Sequence, residues 1–129
     1  MGHQKAANAP EVLRQATEAL QTWVVDHPQD AGAWGLLAST ADAIGLRLRS
    51  LRAGAEARAA IGDLGGAIDR LRAGQAAAKT AAGQDFIEAS VIDARMRELQ
   101  SQRRQLALDM RGGRAPKEEP PETAPQFGR

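Results

Sequence analysis

Only two histidines, His3 and His27, stand among 129 residues, and they lie in different segments. No H-E-x-x-H occurs, so the helix that holds zinc and a general base in metalloproteases is absent. His27 precedes Pro28 and reads as a plain loop residue. Cysteine is absent, which removes disulfides, thiol nucleophiles and Cys-based metal sites. Ser39, Ser50, Ser90 and Ser101 have no histidine in a recognisable triad arrangement. Asp93 and Glu98 share a helical segment without the spacing that stacks two carboxylates. Gly62, Gly65 and Gly66 fit neither a dinucleotide fingerprint nor a phosphate loop. The expectation is a chain with no catalytic constellation, no metal site and no cofactor, which neither hydrolyses peptide bonds nor retains zinc.

Charge is the chemistry that remains. Net charge is +1, so nothing draws the whole chain to nucleic acid. Locally, Arg47, Arg49, Arg52 and Arg58 crowd one segment against Glu56, and Arg95, Arg97, Arg103 and Arg104 crowd another. Arg49 and Arg52 lie three apart and project from one side of a helix, where two guanidinium forks can grip one carboxylate. Arg49, Arg52 and Glu56 are therefore the candidate binding residues, facing a protein or peptide partner. The competing reading is a solvated helical face rich in arginine for its helix propensity. Nucleic-acid binding is not expected, because no aromatic platform accompanies the arginines.

The elements that position these residues are helices. Hydrophobic residues make up 43% of the chain, but there are only two Phe, two Trp and no Tyr. An alanine-rich chain poor in β-branched and aromatic residues builds closely spaced helices, not a sheet. Five helices are predicted near residues 10–25, 31–44, 46–61, 64–79 and 84–110. Pro10 suits a first helical turn, and Val12, Ala16, Ala19, Leu20 and Trp23 form the first apolar stripe. Pro28 ends that helix, Asp30 caps the next, Gly45 and Gly62 close the second and third, and Asp63 caps the fourth. Trp34, Leu37, Ala38, Ala41 and Ile44 define the second stripe, Leu48, Leu51, Ala55 and Ala59 the third, and Leu64, Ala67, Ile68 and Leu71 the fourth. After a break at residues 80–83, the long fifth helix carries Ile92, Met96, Leu99, Leu106 and Met110, interrupted by Arg103. That stripe reads as a cap on the last hairpin, or as a coiled-coil seam. Both tryptophans are expected in the core.

Short connections force neighbouring helices antiparallel. No run of 18 apolar residues occurs, so no membrane insertion is expected, and no signal peptide is read at the N-terminus. Residues 1–9 read as a flexible N-terminus, 10–110 as the helical domain, and 111–129 as a disordered tail with four of the six prolines.

Pro28 and Gly62 lie 34 residues apart, and Trp34, Leu37, Ala38 and Ala41 match the tetratricopeptide offsets W-x2-L-[GA]-x2-[YA]. The fold class expected is all-α, a tetratricopeptide-like stack of antiparallel helical hairpins with a long C-terminal capping helix. Such stacks usually bind other proteins. The phase stays open. Helix three follows Ala31 as a second helix, yet Gly62 to Ile68 looks like a turn into a second helix, which would make helix three a first one.

Two stretches carry a resemblance: Asp30 to Ala38, continuing through Leu48 to Glu56, and Ile87 to Arg95. Together they resemble the C-terminal tetratricopeptide region of BepA-like (YfgC-like) bacterial zinc metalloproteases, across roughly Pro10 to Met110. The resemblance implies a periplasmic interaction module that contacts outer-membrane assembly machinery and substrates. The family's protease domain is absent from this chain, so no catalytic residue carries over. Met1-Gly2-His3 has the look of an appended leader on an excised domain. The alternative is a stand-alone cytoplasmic adaptor. The partner's identity and the oligomeric state stay open.

Overall fold

The computed structural model describes residues 2–80 and 85–112. Five helices follow in order: α1 (Gly2–Asp26), α2 (Ala31–Ala43), α3 (Arg47–Ala60), α4 (Leu64–Ala78) and α5 (Phe86–Gly112). No strand occurs among the described residues. The chain is an all-α stack of antiparallel helical hairpins with a long C-terminal helix. Each helix packs on the next, and α3 also touches α5 directly. The expected tail lies outside the described residues from 113 onward, as do residues 81–84 of the expected break.

The caps follow the sequence. Asp30 Oδ1 accepts the Ala33 N–H at 2.9 Å, and Asp63 Oδ1 accepts the Gly66 N–H at 2.9 Å. Each satisfies a donor that the first helical turn leaves open. Gly45 and Gly62 take φ of 82° and 86°, the left-handed conformation that ends a helix without steric cost.

The N-terminal segment differs from expectation. Residues expected as a flexible N-terminus are helical from Gly2, and Pro10 lies inside α1. Gln4, Lys5, Ala6 and Ala7 are good helix formers, and the proline removes one intrahelical donor without ending the helix.

Two clusters of buried side chains form the core. Val24, Ala33, Trp34, Leu37 and Ala53 join α1, α2 and α3. Leu48, Ala55, Leu64, Ala67, Ile68, Leu71, Ile92, Met96 and Leu99 join α3, α4 and α5. The second, third and fourth stripes lie inward as their spacing requires, with Ala38, Ile44, Leu51 and Ala59 half-buried.

The α1 stripe is a correction. Val12 is 60% exposed and Trp23 47% exposed, so neither is core. The inward line is Leu13, Thr17, Leu20 and Val24, with Thr17 and Val24 buried. Thr17 hides the line in the sequence because it is polar. Inside the fold its hydroxyl donates to the Leu13 carbonyl at 2.7 Å, so burial leaves no unmet hydrogen bond.

The α5 stripe divides. Ile92, Met96 and Leu99 are buried, whereas every residue from 101 to 112 is exposed, including Leu106 and Met110. The helix runs on past the body that its first half caps.

Trp34, 6% exposed, is the largest side chain of the first cluster, and its indole N–H donates to the Pro28 carbonyl at 2.9 Å. Trp34→Ala should cost about 3–5 kcal/mol in urea unfolding, and Trp23→Ala roughly a third of that or less. Equal losses at the two positions would contradict this division of the tryptophans.

Candidate functional site

The face that α3 shares with α5 gathers the charged residues singled out by spacing. Arg49 and Arg52 both reach one carboxylate, and it is the chain's own Glu88 on α5. Arg52 Nε pairs closely with Glu88 Oε2, and Arg49 Nε lies 3.8 Å from Oε1. The geometry of two arginines three residues apart thus grips a carboxylate from within the chain. Arg52 also stands over the Trp34 ring, 5.8 Å from its centroid, within cation–π range.

Glu56 is engaged as well. It accepts two hydrogen bonds from Arg95, Nε at 2.6 Å and Nη2 at 2.8 Å, a forked pair that fixes both planes. Arg95 Nη1 donates to Glu98 at 3.0 Å on its own helix. Hydrogen bonding to Glu56 raises the Arg95 pKa, against the opposing effect of partial burial. An arginine is already charged throughout the working range, so the shift adds no pH switch. The side chains are largely shielded: Arg52 is 13% exposed, Glu88 15%, Glu56 11% and Arg95 30%.

The two ties run in opposite senses. One places the cation on α3, the other on α5, so each helix supplies one cation and one anion to the close pairs. Arg49 remains partly available, 37% exposed and in a long contact with Glu88. Beside it, Leu46, Asp85, Ile87 and Glu88 complete a recess of about 210 Å³. Ile87 and Val91, one turn apart on α5, are 76% and 39% exposed.

A second polar cluster lies at the α1–α2 turn. Trp23 stacks on His27 with ring centroids 3.6 Å apart and planes 12° apart. Its indole N–H donates to Asp30 Oδ2 at 2.9 Å. Asp30 therefore serves both indole and helix cap, and its pKa lies below the ordinary carboxylate value. The Ala33 N–H is the chief cause and the Trp23 indole the next. Sequence spacing marked Trp23 as core, but the Trp23-x3-His27-x2-Asp30 order on one side of the turn was the available signal for this cluster.

Among the described residues, no group of three His, Asp or Glu could hold a metal ion, and no helix is long and apolar enough to cross a membrane. No protein-family model, curated protein or solved structure matches this chain.

Two measurements test the electrostatics. A double-mutant cycle on Glu56→Gln and Arg95→Gln should give a coupling of about 1–2 kcal/mol that shrinks with added salt. A coupling indistinguishable from zero would reduce the pair to surface decoration. Asp30 has a lowered folded pKa, so its contribution is full above the ordinary carboxylate range and is lost as pH falls through that lowered value. Asp30→Asn keeps a capping group but removes the charge. Its melting temperature should therefore depend less on acid than that of the parent between about pH 6 and pH 2.

Proposed function

We propose that this chain is a protein-interaction module that receives its partner on the α3–α5 face. The observation that carries the reading is the grouping of exposed Ile87 with partly free Arg49 in one recess, with exposed Val91 one turn along α5 from Ile87. Single exposed apolar residues are ordinary, but a cluster rimmed by charge is the usual composition of a docking surface. With Arg52 and Glu56 held inside the chain, Arg49 is the polar contact left for the partner. The partner segment fitting this surface is a protein or peptide with apolar side chains beside a carboxylate.

The resemblance of Asp30 to Glu56 and of Ile87 to Arg95 to BepA-like metalloproteases supports a periplasmic setting, with outer-membrane assembly proteins or substrates as partners. The reading frame upstream of Met1 separates this from a stand-alone adaptor. An in-frame H-E-x-x-H domain with a signal peptide favours the protease.

Site-specific photocrosslinking in the native host tests the surface. A photoreactive residue at Ile87 or Val91 should give a discrete protein adduct, whereas one at Arg72 on α4 should not. Adding Arg49→Glu should weaken that association by roughly 1–2 kcal/mol, the order of a lost charge-assisted hydrogen bond, with the far-ultraviolet dichroism unchanged. Adducts from Arg72 alone would move the interface elsewhere.

A further inference from the structure

The attachment of α5 is unlike that of the other helices. It has 27 residues, yet Ile92, Met96 and Leu99 are the buried ones. Ala89 adds a half-buried contact, and residues 101–112 touch nothing that shields them. Apolar burial of three side chains is a small hold for a helix of that length. The reciprocal ion pairs supply a second hold. They link α3 to α5 at Arg52–Glu88 and at Glu56–Arg95, 36 and 39 residues apart in sequence.

The cluster that binds α1, α2 and α3 contains no α5 side chain. Val24, Ala33, Trp34, Leu37 and Ala53 make their mutual contacts without any α5 side chain among them. The ion pairs also differ from apolar contacts in what opposes them. When α5 leaves, Glu56, Arg52, Glu88 and Arg95 all regain water, and added salt screens the attraction that brings them back.

We propose that α5 is a detachable cap, held by this reciprocal latch, which opens as one cooperative piece while α1, α2 and α3 stay folded. Ionic strength then sets how often the α4 side chains Ile68 and Leu71, buried in the closed form, meet solvent. Opening also frees Arg49 and Arg52 from Glu88 and Glu56 from Arg95, so charges of both signs on α3 become available to solvent. Local openings of this kind are distributed unevenly in proteins, and the units with fewest buried apolar contacts open first.

The test uses the full chain and native-state hydrogen exchange resolved by segment. Raising NaCl from about 0.05 M to about 1 M shortens the screening length severalfold. It should speed exchange of amides 92–99 while leaving amides 33–41 and 48–57 unchanged. The Glu56→Gln, Glu88→Gln double variant keeps the side-chain bulk and removes the carboxylate charge from both pairs. At low salt it should exchange at 92–99 roughly tenfold faster or more, the factor expected for lost charged hydrogen bonds. Its remaining salt dependence should be small. Trp34 gives an independent readout, because Arg52 stands over its ring. In a Trp23→Phe background, its emission should follow the same salt curve as α5 exchange. Uniform acceleration of all helices would overturn the proposal by making the fold a single cooperative unit. Exchange at 92–99 that ignores both salt and the double variant would overturn it by leaving the apolar stripe as the whole attachment.

Discussion

Close approach between helices is the constraint on which the rest of this fold depends. Four aromatic residues in 129 cannot fill wide gaps between helices, so the helices must come near enough for alanine to fill them. Ala41, Ala53, Ala55 and Ala67 are buried at the contacts. At Gly74 the demand goes further. A Cβ there would stand 2.9 Å from Ile92 Cδ1, so any larger residue would require the end of the Ile92 side chain to move. That glycine costs helix stability relative to alanine, and it leaves room for Ile92 between the helices.

A thin core leaves work for polar contacts. Small side chains release little transfer energy on burial, so specific hydrogen bonds fix the angles between helices. Trp34 ties α2 to the Pro28 carbonyl, and Ser50 Oγ donates to the Ala38 carbonyl at 2.8 Å across α2 and α3. The Trp23, His27 and Asp30 cluster locks the turn between α1 and α2 from outside. The α3–α5 ion pairs belong to the same class. Most surface ion pairs contribute little, but forked, shielded pairs that cross between elements gain from fixed geometry. α3 lies at the centre of this scheme, with one flank in each apolar cluster and its charged face against α5.

Local chemistry was legible in the sequence because it acts over a few residues. Asp30 and Asp63 mark helix starts, and Gly45 and Gly62 mark helix ends, each through its own backbone requirement. The second and fourth stripes were legible for the same reason. The α1 stripe was not, since periodicity ranks Trp23 above Thr17 while the fold ranks them the other way. A tryptophan with an indole partner outside, and a threonine that bonds its own helix, both escape a hydrophobicity pattern. The α5 stripe exposes another limit. Its period resumes beyond Arg103 at Leu106 and Met110, and nothing in a period says where the supporting body ends. The arginine pair on α3 was legible as a carboxylate grip. That Glu88 supplies the carboxylate was not, because a separation of 36 residues is a tertiary fact.

That internal pairing changes what the basic segments mean. Counted along the chain, α3 and the first half of α5 look like arginine-rich surfaces that invite acidic partners or nucleic acid. Counted in space, Arg52 and Arg95 answer Glu88 and Glu56, and their charge is balanced where they meet. Arg58 faces Asp63 at 3.6 Å, and Arg72 faces Asp69 at 3.7 Å. The exposed arginines that remain on α5, Arg97, Arg103, Arg104 and Arg111, come with no aromatic platform on which a base would stack. A phosphate backbone gains its affinity from many unopposed cations in a row, and this surface divides them. An acidic side chain beside an apolar segment needs one available guanidinium next to an exposed apolar side chain, and Arg49 shares its recess with exposed Ile87. That balance of charge in space is the ground on which the proposal above takes a protein partner, not nucleic acid, for the α3–α5 face.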